Sequence, residues 1–254
     1  MKFGLCKGAD YAEKMEKMGF DYLEGHLTSI QRMNAAELSE QKKMLEATSL
    51  RYEACNCFFP GDVRLTGEDM DLNTVRDYVK RAFENAVPLG LQVAVLGSGG
   101  ARGVPEGFDF DCAIAQLKEV FWNAAEIAKD YNVTIALEPL RSKECNILNL
   151  VAEGDDIAVA VNHPNFRVLA DIYHMYSDGE PYSNIPSMKT PLQHVHFSHP
   201  GTRRYPCAGD GYDYSDFAAQ LKAANYDQRI SVEAGCDNWD EAAPAALAIM
   251  KELF

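Results

Sequence analysis

Short apolar runs alternate with longer amphipathic segments along this chain. The apolar runs have the composition of buried β-strands, and in order they are KFGLC, DYLEG, YEACNCF, LQVAVLG, VTIALE, FRVLAD, LQHVHFS and RISVEA. The intervening segments carry apolar residues at helical spacing, most clearly in 110–131 and most weakly in the proline-broken segment 181–190. The pattern therefore predicts eight strand-and-helix units of about 32 residues each in the 254 residues.

Strands that are apolar on both faces and separated by helices are typical of a parallel sheet covered by helices. Eight such units at this length predict an α/β fold, a closed (β/α)8 or TIM barrel, in one domain spanning residues 1–254. An open, doubly wound sheet is the alternative. That sheet usually carries the phosphate turn G-x-G-x-x-G after its first strand, and the sequence CKGADY at this position lacks it.

Composition and charge exclude several classes of function. Hydrophobic residues make up 47% of the chain, enough for a full core, and the formal net charge of −14 opposes binding to a phosphate backbone. The N-terminus lacks an apolar signal segment, and no stretch reaches the roughly 18 uncharged apolar residues of a membrane span. We therefore expect a cytoplasmic protein without membrane or nucleic-acid partners. The seven cysteines are scattered, so neither a disulfide framework nor a thiolate zinc site is predicted.

Acidic residues and a histidine stand where apolar strands should end. Glu138, Asp171, His196 and Glu233 lie at the ends of strands 5, 6, 7 and 8, which are consecutive around the predicted barrel. A polar side chain at the carboxyl end of a barrel strand faces the active site rather than a dry core. Neighbouring carboxylates repel one another unless a cation neutralises them. The four residues therefore predict a site for one divalent metal ion, Mn²⁺ in the first place, with Mg²⁺, Co²⁺ or Zn²⁺ as alternatives.

The segments around these residues resemble the xylose isomerase-like barrels, a family that includes ketose 3-epimerases, hydroxypyruvate isomerase, inosose dehydratase and the type IV apurinic endonucleases. LEPLRSKE resembles an epimerase segment in which a metal-binding glutamate precedes a substrate-binding one, which implies Glu138 and Glu144 in these roles. DIYH resembles the metal aspartate with a histidine three residues on, which implies Asp171 as a ligand and His174 beside the sugar.

The segment HVHFSHPGTRRYPCAGDGYDYSDF resembles the family's strand with the metal histidine, followed by an arginine that holds the sugar. It implies His196 as the ligand and Arg203 as the substrate arginine, with Arg204 as the alternative. The alternative stays open because the spacing to the arginine is one residue longer here than in the epimerases, and because His199 stands where they carry a glutamate. The segment SVEA implies Glu233 as the last metal ligand.

The resemblance implies a metal-dependent epimerase or isomerase acting on a sugar, either free or phosphorylated. The metal would polarise the carbonyl of a ketose, and Glu138 and Glu233 would remove and return a proton through an enediolate. A homodimer is a further expectation from the family. The alternatives are a dehydratase of the inosose type, an apurinic endonuclease and a sugar-binding protein without activity. The endonuclease is opposed by the net charge and by the presence of only six histidines.

Other polar residues allow more than one interpretation. His194 faces the same side of its strand as His196 and either supports the site or is a hydrogen-bonded core histidine. Glu24 and His26, at the end of strand 2, either touch the substrate or lie exposed on the rim. His163 is predicted to be structural on the opposite rim. The turn GSGG at 97–100 is a weak candidate for binding phosphate through backbone N–H groups.

Overall fold

The computed structural model describes residues 1–254, and at its centre is the closed barrel of eight parallel strands that the hydrophobic pattern predicts. Each strand pairs with its neighbour in sequence, and the last strand pairs with the first. The strands are β1 (Lys2–Cys6), β2 (Tyr22–His26), β3 (Tyr52–Asn56), β4 (Val93–Leu96), β5 (Thr134–Leu137), β6 (Phe166–Asp171), β7 (Leu192–Phe197) and β8 (Arg229–Val232). The prediction of a closed (β/α)8 barrel is confirmed, and the open-sheet alternative is wrong.

Ten α-helices accompany the strands. They are α1 (Ala12–Met18), α2 (Leu27–Arg32), α3 (Ala35–Glu46), α4 (Leu72–Ala86), α5 (Gly99–Arg102), α6 (Phe110–Asp130), α7 (Val151–Val161), α8 (Ile172–Ser177), α9 (Ser215–Ala223) and α10 (Trp239–Leu253). None of the helices combines the length and the apolar character that crossing a bilayer requires.

The helix of the sixth unit differs from the sequence prediction. The segment 181–190 contains only the short 3-10 helix Tyr182–Asn184, and α8 instead follows β6 without a break. Pro181 and Pro186 lack the N–H group that a longer helix would need, so the segment cannot extend into a regular helix. This arrangement keeps α8 at the carboxyl end of the barrel, where its side chains line the mouth.

The apolar core has two parts, one outside and one inside the barrel. The larger part, of 68 buried residues, fills the space between the strands and the helices. The smaller part, inside the barrel, contains Tyr22, Ala54, Val93, Val95, Ala136 and Leu169. It is small because polar side chains occupy the next layer towards the carboxyl ends of the strands. Those side chains are buried and belong to Glu24, His194, His196 and Ser231.

A buried arginine holds the turn after β4 against the end of β5. The side chain of Arg102 is 0% exposed, and its guanidinium donates to the main-chain carbonyls of Leu96, Gly97, Glu138 and Leu148. No carboxylate lies within ion-pair distance of it, and burial lowers the pKa of its guanidinium. The carbonyl of Leu96 also accepts from the N–H of Glu138, so the arginine replaces solvent chiefly for the carbonyls of Gly97, Glu138 and Leu148.

Candidate active site

The four residues predicted as metal ligands meet at the carboxyl end of the barrel. Glu138 and Glu233 directly follow β5 and β8, Asp171 ends β6, and His196 is the last inward-facing residue of β7. One ligand atom from each of the four lies within 4.8 Å of all the others. Nδ1 of His196 is 2.8 Å from Oε1 of Glu138, 3.5 Å from Oε2 of Glu233 and 4.0 Å from Oδ2 of Asp171. We call these four residues the carboxylate cluster.

Local backbone structure aims two of the carboxylates into the cluster. Asp171 is the N-cap of α8, and its Oδ1 accepts a hydrogen bond of 2.7 Å from the N–H of Tyr173, which leaves Oδ2 facing the cluster. Glu138 lies beside Gly97, where any Cβ would overlap its Oε2. Glycine at position 97 is therefore required for the carboxylate of Glu138 to adopt this position.

A second buried glutamate fixes the orientation of both β7 histidines. Glu24 is 1% exposed, and its two carboxylate oxygens lie 2.8 Å from Nε2 of His194 and 2.8 Å from Nε2 of His196. With its Nε2 held by Glu24, His196 presents Nδ1 to the cluster. Ser231 Oγ lies 3.4 Å from His194 Nε2 and 2.7 Å from the hydroxyl of Tyr22, so the network continues into the barrel.

Glu24 and His194 thus act in the same network, whereas His26 does not. Glu24 is buried rather than exposed on the rim, and burial alone would raise its pKa, but the charges of His196 and His194 outweigh burial and lower it. His194 is buried and hydrogen-bonds to Glu24, which also holds His196, so the contacts agree with both interpretations of this residue. His26 is exposed and accepts from the N–H of Ser29 as the N-cap of α2.

The cluster is electrostatically short of positive charge. Burial, and then the charge of Glu138, raise the pKa of Asp171 to about 8, and burial also raises the pKa of Glu138. Burial acts in the same direction on Glu233, but the positive charges of His196 and Arg203 outweigh it and lower its pKa to about 2. Carboxylates whose pKa is raised by burial and by one another bind either a proton or a cation.

The donor set fits a divalent cation. Three carboxylates and one imidazole converge within a few ångströms, and Arg203 pairs with only one of these carboxylates, Glu233, at 2.5 Å. Oxygen donors with one imidazole suit Mn²⁺, Mg²⁺ and Co²⁺, and Zn²⁺ also accepts such ligands. The same four residues were identified in the sequence, and the fold brings all of them together.

His174 projects from α8 towards the cluster without becoming part of it. It is 1% exposed, and its Nε2 lies 3.6 Å from Oδ2 of Asp171 and 4.0 Å from Oε1 of Glu138. Its Nδ1 accepts from the N–H of Arg141, whereas Nε2 has no hydrogen-bond partner. Burial, and then the charge of Arg203, lower the pKa of His174 to about 3, so the ring is neutral and its Nε2 remains available.

Two arginines and a tyrosine form one wall of the site. Arg203 Nη2 lies 2.5 Å from Oε2 of Glu233, and the guanidinium groups of Arg203 and Arg141 lie 4.9 and 4.8 Å from the ring centroid of Tyr173. Glu144 pairs with Arg141 at 2.6 Å and lies 3.7 Å from Arg203. Glu144 and Arg203 therefore both reach the mouth of the site.

Arg204, the alternative to Arg203, points away from the cluster. Its guanidinium pairs with the exposed Asp237 at 2.5 Å. Arg203 has a positive φ of 53°, and this left-handed turn sends consecutive side chains in opposite directions. The geometry therefore favours Arg203 as the arginine beside a substrate.

Sequence reasoning missed three side chains of the site. Asn56, the last residue of β3, donates a 2.9 Å hydrogen bond to Oε1 of Glu233, and Arg141 and Tyr173 form part of the wall. Asn56 ends a strand just as Asp171 does, so the same rule applied to strand 3 would have found it. His163 lies at the opposite rim, 2.8 Å from Glu126, in agreement with its predicted structural role.

Known proteins that this chain resembles in sequence or in structure include sugar epimerases. The D-psicose 3-epimerase of Agrobacterium fabrum is 24% identical over 236 residues, which are 90% of this chain and 79% of that protein. The structure of D-allulose 3-epimerase from Methylomonas sp. in complex with D-allulose is similar over 100% of this chain and 97% of that chain, with a TM-score of 0.87 and 22% identity.

A second similar structure is an epimerase that is named for a different sugar. The 3-keto-D-glucoside 4-epimerase from E. coli matches over 99% of both chains, with a TM-score of 0.84 and 18% identity. At identities of 22% and 18%, the similarity of these structures to the chain shows that they share its fold and nothing more specific. Residues 12–253 match the family model described as xylose isomerase-like TIM barrel, and the chain therefore belongs to that family.

Proposed function

We propose that this chain is a divalent-metal-dependent ketose 3-epimerase. The observation that supports it most is the carboxylate cluster, in which Glu138 and Glu233 approach the same Nδ1 of His196, at 2.8 and 3.5 Å, from opposite ends of the β5–β8 arc. Two carboxylates on two sides of one position suit a reaction that removes a proton from one face of a carbon and returns it to the other. The curated relative is a 3-epimerase of a ketose.

The cation would be held by Glu138, Asp171, His196 and Glu233. When bound, it supplies positive charge that polarises a ketose carbonyl and offsets the three carboxylates. His174 Nε2 and the guanidinium of Arg203 lie at the edge of the cluster and can hold the oxygens at the carbonyl end of the sugar. These contacts would orient the C3–H bond towards one of the two glutamates.

Proton transfer requires one glutamate to accept and the other to donate. One carboxylate removes the proton from C3, the electron pair moves into the enediolate, and the other carboxyl group protonates C3 from the opposite face. The pKa values of the two groups shift in opposite directions: burial raises the pKa of Glu138, whereas the positive charges of His196 and Arg203 outweigh burial at Glu233 and lower its pKa to about 2. Glu233 is therefore the carboxylate that is ionised first and Glu138 the one that more readily holds a proton.

A panel of free and phosphorylated ketoses, incubated with the protein and Mn²⁺ in D₂O, tests this function. We expect the C3 epimer with deuterium at C3, detected by NMR and mass spectrometry. A product lighter by one water would identify a dehydratase, and an aldose would identify an isomerase. Binding without turnover under every metal would identify a sugar-binding protein. Cleavage of an abasic DNA duplex that Glu138→Gln abolishes would identify an endonuclease.

His174→Ala is expected to weaken substrate binding and spare the cation. The Nε2 atom lies outside the cluster, so its loss removes a hydrogen bond to the sugar. We expect this loss to raise KM about tenfold. Steady-state kinetics and titration with Mn²⁺ measure the two effects separately. His163→Ala, which removes a buried histidine at the opposite rim, should change neither quantity by more than twofold. An unchanged KM in His174→Ala would contradict the role in substrate binding.

Glu24→Gln is expected to weaken Mn²⁺ binding roughly 10- to 100-fold, because a partner that orients a metal-binding histidine contributes about this much. An amide offers only one oxygen, so it cannot accept from both His194 and His196. Calorimetry on the apoprotein measures the affinity. Glu126→Gln is the matched control, because it alters a glutamate–histidine pair, with His163, at the opposite rim of the barrel. Equal affinities in the two variants would contradict this prediction.

A further inference from the structure

A cavity of about 450 Å³ opens beside the carboxylate cluster, at the carboxyl ends of β1, β2 and β3. We call it the rim cavity. Its inner end is lined by Glu24 and Asn56, which hydrogen-bond to His196 and Glu233 of the cluster. Its outer end is lined by Ser29 and other residues of α2 and α3. The rim cavity is thus continuous with the proposed reaction centre.

The rim cavity continues into a second cavity of about 400 Å³ on the surface of α2 and α3. Both cavities are lined by Ser29, Met33 and Gln41, so together they form one groove that leads away from the cluster. The volume of the rim cavity alone lies within the roughly 300–1,000 Å³ of pockets that bind small molecules. A hexulose held at the cluster by its carbonyl end would leave the outer part of this groove empty.

Short connections after β1 and β2 leave the mouth of the barrel open beside the rim cavity. Only Lys7 and Gly8 separate β1 from the 3-10 helix that begins at Ala9, and β2 runs directly into α2. On the other side, 138–150 lies between β5 and α7, and 198–214 lies between β7 and α9. The longer connections carry the wall of Arg141 and Arg203 over the mouth. A substrate held against that wall by its carbonyl end must direct its other end towards the rim cavity.

The lining of the groove suits a sugar ring. Nδ1 of His26 is hydrogen-bonded to the main-chain N–H and the hydroxyl of Ser29. Oε1 of Gln41 accepts a hydrogen bond of 2.9 Å from the hydroxyl of Tyr52. Nε2 of His26 and the amide nitrogen of Gln41 have no partner within the protein, so both can donate to hydroxyl groups. Ile30 and Met33 add apolar surface against which the C–H face of a ring can pack.

We propose that the rim cavity is a subsite for a second sugar unit, so that the preferred substrate is a ketose carrying a glycosyl group at the end remote from its carbonyl. The proposal rests on the proposed epimerase function. The ketose unit of the substrate places its carbons C1 to C3 at the carboxylate cluster, where the proton on C3 is exchanged as described above. The glycosyl unit then lies along α2 and α3, against His26, Ser29 and Gln41.

The test compares two sugars, palatinose and free D-fructose. Palatinose is fructose with glucose attached to its O6. We expect the wild-type kcat/KM for C3 epimerisation to be about tenfold or more higher for palatinose than for D-fructose, the size of effect that one pocket contact produces. Ser29→Trp fills the groove and should lower the palatinose-to-fructose ratio of kcat/KM about tenfold. Gln41→Ala should lower the ratio in the same direction and does not depend on accommodating a large side chain.

Ser39→Trp is the matched control, because this exposed serine of α3 does not line either cavity. It should leave the ratio unchanged. The proposal is overturned if the wild-type enzyme prefers D-fructose, or if neither Ser29→Trp nor Gln41→Ala changes the ratio.

Failure of the proposed function has a different outcome. If neither of these sugars nor any ketose of the panel is epimerised, the 3-epimerase proposal fails, and calorimetric titration with palatinose then decides on the subsite alone. Binding of palatinose that Ser29→Trp weakens would support the subsite, whereas no binding, or equal binding by both proteins, would overturn it.

Discussion

Glu233→Gln is expected to abolish turnover and weaken cation binding while the barrel remains folded. Glutamine has the same shape and keeps a hydrogen-bond acceptor for Asn56 or Arg203, so the fold loses little. An amide is neutral, a poorer metal ligand than a carboxylate and not a base. Loss of a catalytic acid or base costs 10²- to 10⁴-fold, and we expect a fall in kcat of about 10³-fold or more. Kinetics with Mn²⁺, calorimetry and circular dichroism measure the three properties.

The exposed Glu252 of α10 provides the matched control for this variant. Glu252→Gln removes the same charge from the chain and should retain the wild-type kcat and Mn²⁺ affinity. Comparison with His174→Ala adds a second check, since that variant should bind Mn²⁺ normally. An unchanged Mn²⁺ affinity in Glu233→Gln, or complete loss of Mn²⁺ binding in His174→Ala, would show that the ligand set is wrong.

Arg102→Met is expected to give the largest loss of stability of any single substitution considered. Methionine occupies much of the space of the arginine but donates no hydrogen bonds, so the carbonyls of Leu96, Gly97, Glu138 and Leu148 lose their shared partner. Leaving buried polar groups unpaired costs about 1–3 kcal/mol each when no water replaces the partner. Allowing for relaxation, we expect the free energy of unfolding to fall by about 3–5 kcal/mol. Equilibrium urea denaturation measures the change.

Activity should fall together with stability in Arg102→Met, because the carbonyl of Glu138 loses an anchor. Arg76→Met, at an exposed position of α4, removes the same charge from the surface and should change the free energy of unfolding by less than about 0.5 kcal/mol. A change below about 1 kcal/mol in Arg102→Met would mean that water enters and satisfies the carbonyls that lose the arginine.

The architecture of the barrel could be predicted from the sequence because it depends on local pattern. Apolar runs buried on both faces, separated by amphipathic helices, leave a parallel sheet as the arrangement that buries both surfaces. Eight units of this size close into a barrel. The exception was the sixth unit, where 181–190 forms only a 3-10 turn and α8 lies elsewhere. Six residues are too few to show helical periodicity, so α8 could not be recognised in advance.

The carboxylate cluster was also accessible from the sequence. Topology places the carboxyl ends of all strands at one rim, so Glu138, Asp171, His196 and Glu233 had to share that rim whatever their exact distances. The structure adds that their ligand atoms converge within 4.8 Å. The choice between Arg203 and Arg204 was not accessible, because it depends on the left-handed backbone of one loop residue.

Contacts across the barrel were decided only by the tertiary structure. Glu24 meets His194 and His196 although 170 and 172 residues separate them in the chain, and Arg102 meets carbonyls of three separate segments. Strand tilt and the relative register of β2 and β7 set the first contact, and the path of the β4–α5 turn sets the second. Sequence periodicity determines which face of a strand a side chain occupies. Periodicity does not show how deep in the barrel, or from which direction, a side chain of another strand will approach. The network around His196 and the groove beside it could therefore be seen only in the folded chain.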